Sequence, residues 1–280
     1  MPHPFQLVDV FGSGPFSGNP LAVVHDAEGL DTETMQTITR WLNLSETVFL
    51  LPPTDPAADY RVRIFTLQRE LPFAGHPTLG SAHAWLAAGG TPRQSGRVLQ
   101  ECPAGLIPLR HDSSGLAFAA PPLLREGPVE EEKLAELAQV LRIDRSAIRD
   151  ASWADNGPGW IALLLDSAEA VLALEPARDH PSRVDVGVIG PHPEGSEVEF
   201  ELRVFFSDQH GGLLEDPVTG SFNASAAQWL FGSGRAKSPY VAAQGTRLGR
   251  AGRIEVERDP DDTVWIGGRT ETLFSGKTLF

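Results

Sequence analysis

The stretch ELPFAGHPTLGSAHAWL, Glu70 to Leu86, decides the fold. A short apolar run stops at Gly75, a helix-like pattern begins at Pro77, and His76 sits on the seam. Proline is favoured at the first position of a helix, so Pro77 predicts His76 as the N-cap of a helix reaching Ala88. A histidine there lies beside free backbone N–H groups and the positive end of the helix dipole. That arrangement suits an anion and disfavours a second positive charge on the imidazole. The same residues also read as a plain helix cap.

A second seam of this kind is EDPVTGSF, Glu215 to Phe222. Asp216-Pro217 favours a turn, and Thr219-Gly220-Ser221 opens a helix to about Phe231, with Gly220 allowing close backbone approach and Ser221 offering a hydroxyl. SAHAWL (Ser81 to Leu86) and SAAQWL (Ser225 to Leu230) share Ser, Ala, Trp and Leu at a separation of 144 residues, close to half the chain. Both segments follow a strand and a Pro/Gly/Thr turn, which suggests an internal duplication.

A third candidate is Glu46, which enters the apolar strand ETVFLL, Glu46 to Leu51. A carboxylate so placed ordinarily faces solvent. Turned into a closed pocket, its pKa rises toward the range of general acid–base work.

Other strands are expected at Phe5–Phe11, Leu21–Val24, Tyr60–Leu67, in RVLQEC, GLIPLR and GLAFAA, and in WIALLLD, RVDVGVI, EVEFELRVFF, IEVE and TVWIGG. Asp31 is the expected N-cap of a helix to about Leu42. A further helix opens near Val129 with glutamates in its first turn and Leu134, Leu137, Ala138 and Leu141 on its buried face. The prolines at 121, 122 and 128 place a domain boundary near residue 120. The expected domains are 1–120, with 270–280 as candidates to complete it, and 121–269.

Composition narrows the function. The chain has 280 residues, 41% of them apolar, and a formal charge of −14. So acidic a protein is a poor partner for nucleic acid. The single cysteine, Cys102, rules out an intramolecular disulfide, a two-thiol mechanism within one chain and a zinc site built on two cysteines. No signal-peptide pattern opens the chain, and WIALLL falls far short of the about 20 apolar residues that span a bilayer, so a cytoplasmic protein with no membrane partner is expected. Gly276-Lys277-Thr278 ends like a Walker motif, but Glu271 stands where that motif requires glycine, and no HExxH or GxSxG occurs. His83 reads as structural, and His210 lies in a loop leading to Asp216.

Taken in order, DVFGSGPFSGNPLAVV, LSETVFL, RIFTLQRELPFAGHPTLGSAHAWL and EDPVTGSFNASAAQWL resemble the PhzF family, the phenazine-biosynthesis-like isomerases. Leu67 is a departure, since the family commonly has proline there. The resemblance implies an α/β (α+β) fold of two pseudo-symmetric halves similar to diaminopimelate epimerase, each a mixed curled sheet around a central helix, with the site in the cleft between them. It implies Glu46, His76 and Asp216 as catalytic residues, and Ser45, Gly75, Gly220 and Ser221 as substrate-binding residues. It further implies no metal or other cofactor, a small carboxylate substrate and a homodimer. The implied reaction is a proton shift within an unsaturated carboxylate, of the trans-2,3-dihydro-3-hydroxyanthranilate isomerase type. The alternatives are a two-base epimerase working without cysteines and a small-ligand-binding protein without catalysis.

Overall fold

The structure is a computed structural model and describes residues 2–112 and 115–280. The chain divides into two compact units, Met1–Ala119 with Gly267–Phe280, and Ala120–Ile266.

In the first unit, β1 (Pro4–Val10), β2 (Asn19–Val24), α1 (Thr32–Leu42), β3 (Glu46–Leu51), β4 (Tyr60–Thr66) and β5 (Glu70–Leu71) lead into α2 (Gly75–Ala87). β6 (Arg97–Cys102), β7 (Gly105–Asp112) and β8 (Gly115–Ala119) follow, and the chain's last strand, Thr270–Lys277, returns to pair antiparallel with β1. β2–β3 and β4–β6 are parallel and the remaining pairs of this unit antiparallel, so the sheet is mixed. The expected Asp31 cap is present, its carboxylate accepting from the Thr34 N–H at 2.8 Å.

α2 touches β1, β2, β3, β4, β6, β8 and the last strand. A helix wrapped in this way needs an apolar surface all round rather than one greasy stripe, and Gly75 through Ala82 is buried without a break. Gly80 sits where α2 crosses β2, and a Cβ there would lie 2.4 Å from the Leu21 side chain. A second layer forms where Met35 of α1 packs with Val24, Phe49 and Phe65.

The second unit contains β9 (Arg125–Gly127), α3 (Glu131–Leu141), β10 (Asp150–Asp155), β11 (Ile161–Leu164), α4 (Ala168–Leu172), β12 (Asp185–Pro191), β13 (Phe200–Ser207), β14 (Leu213–Asp216), α5 (Gly220–Gly232), β15 (Tyr240–Gln244), β16 (Gly252–Arg258) and β17 (Val264–Gly267). β11–β12 and β13–β15 are parallel, while β9–β10, β10–β11, β12–β13, β13–β14 and β15–β16 are antiparallel. α5 has the length of α2 and the same apolar surface all round, with Phe222 through Ala227 buried. Gly187 of β12 lets Phe222 settle, since a Cβ on it would fall 2.0 Å from the ring. The stripe Leu134, Leu137, Ala138 and Leu141 of α3 is buried against Leu163, Val186, Val188 and Phe205. Each unit is thus a mixed sheet with a buried 13-residue helix. No helix among the described residues is long and apolar enough to cross a membrane.

Candidate active site

Glu46 is the first residue of β3, paired opposite Thr66, and its side chain is only 17% exposed. The carboxylate therefore does not face bulk water. Its Oε2 lies 3.3 Å from Nδ1 of His76, whose ring is 4% exposed. Burial pushes the imidazole pKa down to about 3, and the Pro20 backbone beside the ring opposes this only in part. The pair is therefore a carboxyl group against a neutral imidazole, not an ion pair. Nε2 of the ring is buried without a hydrogen-bond partner among the described residues.

His76 does not cap the helix, contrary to the expectation from Pro77. Ala74 is the N-cap: it is extended at φ −152° and ψ 140°, and its carbonyl accepts from the Thr78 N–H. The helix opens at Gly75, which places His76 and Pro77 inside its first turn, where the missing proline N–H costs nothing. No side chain caps α2 and no acidic residue stands in its first turn. Gly75 is buried at this start, and Ser45 lies half-buried in the turn before Glu46.

The segment bearing Pro20 is pinned by Asp9 of β1. Its two carboxylate oxygens accept from the Ser17 and Gly18 N–H groups, each at 2.9 Å. Asp9 and the GSGPFSG loop thus form a tether that holds the segment bearing Pro20 beside the His76 ring.

The start of α5 is organised differently. Asp216 ends β14, and its Oδ2 accepts from the Thr219 hydroxyl at 2.7 Å. Gln244, at the end of β15, holds this corner. Its Oε1 accepts from the Thr219 N–H at 3.0 Å and from Asn223 Nδ2 at 2.9 Å, and its Nε2 donates to the Asp216 carbonyl and to Thr219 Oγ1, each at 3.0 Å. A backbone N–H only donates and a backbone carbonyl only accepts, so the orientation of the Gln244 amide is determined. Thr219 Oγ1 accepts a hydrogen bond from Gln244 and donates its own to Asp216.

Gly220 is the first residue of α5 and is buried, whereas Ser221 is half-buried. The carbonyl of Ser221 accepts from Asn156 Nδ2 at 2.8 Å, and its Oγ accepts from the indole N–H of Trp160 at 3.1 Å. Of the residues named from the sequence, Glu46, His76, Ser45 and Gly75 gather in the first unit and Asp216, Gly220 and Ser221 in the second. Gln244, Trp160 and Asn156 escaped the sequence reading, and Thr219 was read only as part of the helix opening. One signal was available for Gln244: it lies 144 residues after Gln100, the separation that relates Ser225 to Ser81.

Two other histidines are placed as follows. His83 Nε2 is 3.0 Å from Thr272 Oγ1 and spends its polar atom on the last strand. His210 is exposed, in a turn held by Asp208, which accepts its backbone N–H at 2.7 Å. No cluster of three or more His, Cys, Asp or Glu side chains suited to a metal ion occurs among the described residues.

The profile of the phenazine biosynthesis-like protein family, PhzC-PhzF, matches residues 8–276. An uncharacterized isomerase of Mesorhizobium japonicum is 51% identical over 310 aligned positions, spanning 98% of this chain and 97% of that protein. The trans-2,3-dihydro-3-hydroxyanthranilate isomerase of Pseudomonas aeruginosa is 32% identical over 258 positions, covering 90% and 89% respectively. Among solved structures, a phenazine biosynthesis protein of the PhzF family from Enterococcus faecalis is similar over 100% of both chains, with a TM-score of 0.79 and 25% identity. The chain therefore belongs to the PhzF family of phenazine biosynthesis-like proteins and is an isomerase of that family.

Proposed function

We propose that this isomerase moves a proton within a small, unsaturated carboxylate, and that Glu46 carries the proton. The observation behind this reading is the shielded Glu46 carboxyl, 3.3 Å from a buried imidazole that burial keeps uncharged. A carboxylate screened from water is a stronger base than one in bulk solvent, and a proton leaving carbon needs such a base. Glu46 removes a proton from the carbon next to the unsaturated system. The same group, now an acid, returns it at another carbon of the conjugated chain.

The neutral imidazole supports both halves of this cycle. With its one proton on Nδ1 it donates to the Glu46 carboxylate. With the proton on Nε2 it leaves Nδ1 to accept from the protonated acid. Gly75 opens the helix that carries His76, and Ser45 sits at the base of the turn carrying Glu46. In the second unit, Asp216 offers an acceptor to an amino or hydroxyl group, and the start of α5 with Gly220 and Ser221 offers donors to a carboxylate. A proton shift of this kind needs neither metal nor organic cofactor. From the family we further propose a cytoplasmic homodimer, and light scattering on the purified chain tests the assembly.

The substrate to test first is trans-2,3-dihydro-3-hydroxyanthranilate, followed by other small unsaturated carboxylates, with turnover in D2O followed by NMR and optical rotation. Glu46→Gln keeps the shape and removes the base, so turnover falls by about 10²–10⁴-fold while the circular dichroism spectrum is unchanged. Undiminished turnover in that variant would remove Glu46 from the chemistry. Deuterium entering at a stereocentre, with loss of optical activity and no shift of the double bond, would replace isomerisation by epimerisation.

A further inference from the structure

We infer that Trp160 is a positioning residue that makes the Ser221 hydroxyl a dedicated donor toward the ligand, and so selects for an acceptor oxygen at the start of α5. The inference rests on the reading of α5 as a carboxylate-binding element. It concerns how that element acquires its polarity.

A serine hydroxyl is ambivalent: it donates one proton and accepts two. Left free it would serve a ligand N–H as readily as a ligand carboxylate. An indole N–H has no such freedom, because it only donates. The indole of Trp160 reaches Ser221 Oγ at 3.1 Å and occupies one of its acceptor positions. No described residue accepts the Ser221 proton, and the Ser221 carbonyl is already engaged by Asn156. The hydroxyl therefore faces a ligand with its proton outward.

Trp160 is held firmly enough for this. It is 5% exposed, and its ring meets Phe222 edge-to-face with centroids 5.8 Å apart. Its backbone carbonyl accepts from the Ala154 N–H. The loop before it is knitted by Asp155, whose Oδ1 accepts from the Gly157 and Gly159 N–H groups, each at 2.7 Å. The segment DNGPGW, Asp155 to Trp160, is therefore a strap that reaches Ser221 twice, through the Asn156 amide and the Trp160 indole N–H.

A few residues away the opposite polarity is set. The Gln244–Thr219 chain donates a hydrogen bond to Asp216 Oδ2 and so fixes that oxygen as an acceptor. The second unit thus presents one fixed donor and one fixed acceptor. A ligand bearing both a carboxylate and an amino or hydroxyl group satisfies both. One bearing an amide in place of the carboxylate loses charge at the donor.

Two measurements test the assignment. The first needs no substrate: the Trp160 indole proton resonance, identified by its loss in Trp160→Phe, should exchange slowly and move upfield in Ser221→Ala. An indole resonance indifferent to Ser221→Ala would overturn the contact. The second uses 3-hydroxyanthranilate as an unreactive carboxylate probe, titrated by calorimetry. Trp160→Phe keeps an aromatic ring against Phe222 and removes the N–H together with part of the indole, so Kd should rise about 3- to 10-fold. In a Ser221→Ala background the same change should cost nothing further, and the matching carboxamide, whose carbonyl accepts but carries no charge, should lose less than the carboxylate on Trp160→Phe. A loss that persists without the Ser221 hydroxyl would make Trp160 merely structural and overturn the proposal. If the wild-type protein does not bind the probe while the indole resonance responds, the carboxylate reading of α5 falls and the Trp160–Ser221 contact stands.

Discussion

The two units solve one problem twice and diverge at one point. Each buries a 13-residue helix against a mixed sheet, and each anchors that helix with a glutamine from a neighbouring strand, Gln100 in the first and Gln244 in the second. Gln100 accepts from the Tyr60 and Ser81 hydroxyls and donates to Thr78, all of them buried and remote from water. It is a fastener. Gln244 makes the corresponding bonds one turn earlier in the helix, where they reach Thr219 and through it Asp216. A fastener has become part of a relay. The first unit uses its helix start for a different purpose and places His76 against Glu46 there. The scaffold is common to both units. The chemistry lies in what each helix start was free to display.

A second shared device sharpens the comparison. Arg63 of β4 and Arg203 of β13 each lie about 5 Å over the phenylalanine two residues on, and each grips a glutamate from the following strand with two hydrogen bonds. The Arg203–Glu215 pair is 5% and 14% exposed, against 25% and 28% for Arg63–Glu70. Arg203 also donates to the Leu174 and Val171 carbonyls. Removing one partner of a buried pair strands the other charge without water. Arg203→Met should therefore cost about 3–5 kcal/mol and Arg63→Met about 1 kcal/mol or less in urea unfolding. Equal costs would mean that the two devices are energetically alike despite their burial.

The glutamines give the next largest contrast. Gln244→Leu strands the Thr219 N–H and one N–H of the Asn223 amide, whose nitrogen keeps the Thr219 carbonyl as its other acceptor, at about 2–4 kcal/mol. Gln100→Leu strands hydroxyls, which can rotate, and Ser81 keeps the Pro77 carbonyl as an acceptor, so about 1–2 kcal/mol is expected. Only the first should also lower turnover, because only the first reaches Asp216. Turnover lost equally in both would erase the distinction between fastener and relay.

The smallest effect is a slope. His76 is held neutral by burial, with its pKa pushed from the ordinary 6.5 down to about 3. Between those values the unfolded chain binds a proton at His76 and the folded chain does not. The stability owed to this group is therefore complete above about pH 6.5 and is lost as pH falls toward 3, by about 1.4 kcal/mol per pH unit at its steepest. Unfolding midpoints at pH 7 and pH 5 should differ less in His76→Phe than in the wild type. His25 and His83, whose pKa values burial also lowers, remain in both proteins and cancel. An unchanged slope would mean that His76 is solvated.

Much of the fold was legible because it rests on local periodicity. The α3 stripe, the Asp31 cap and strand Glu46–Leu51 follow from side-chain spacing and capping chemistry within a dozen residues. The segments missed were short or weakly patterned: YVAAQ at Tyr240–Gln244, DASWAD at Asp150–Asp155, and the exposed last strand. Their strand character comes from pairing with distant partners, which no local pattern records. The His76 boundary erred by two residues because Pro77 is tolerated throughout the first turn, not only at its first position.

The sequence by itself determined that two helices open at the Pro/Gly/Thr turns, the first to within two residues, the absence of a second thiol, the apolar strand that Glu46 enters and the family resemblance, since each is a matter of residue type and spacing. Tertiary structure alone decided that Glu46 is shielded, that His76 is neutral, and that Gln244 and Trp160 assign donor and acceptor roles around α5. Burial and hydrogen-bond direction are properties of what surrounds a group, and here the surroundings come from residues 21 to 61 positions away in the chain.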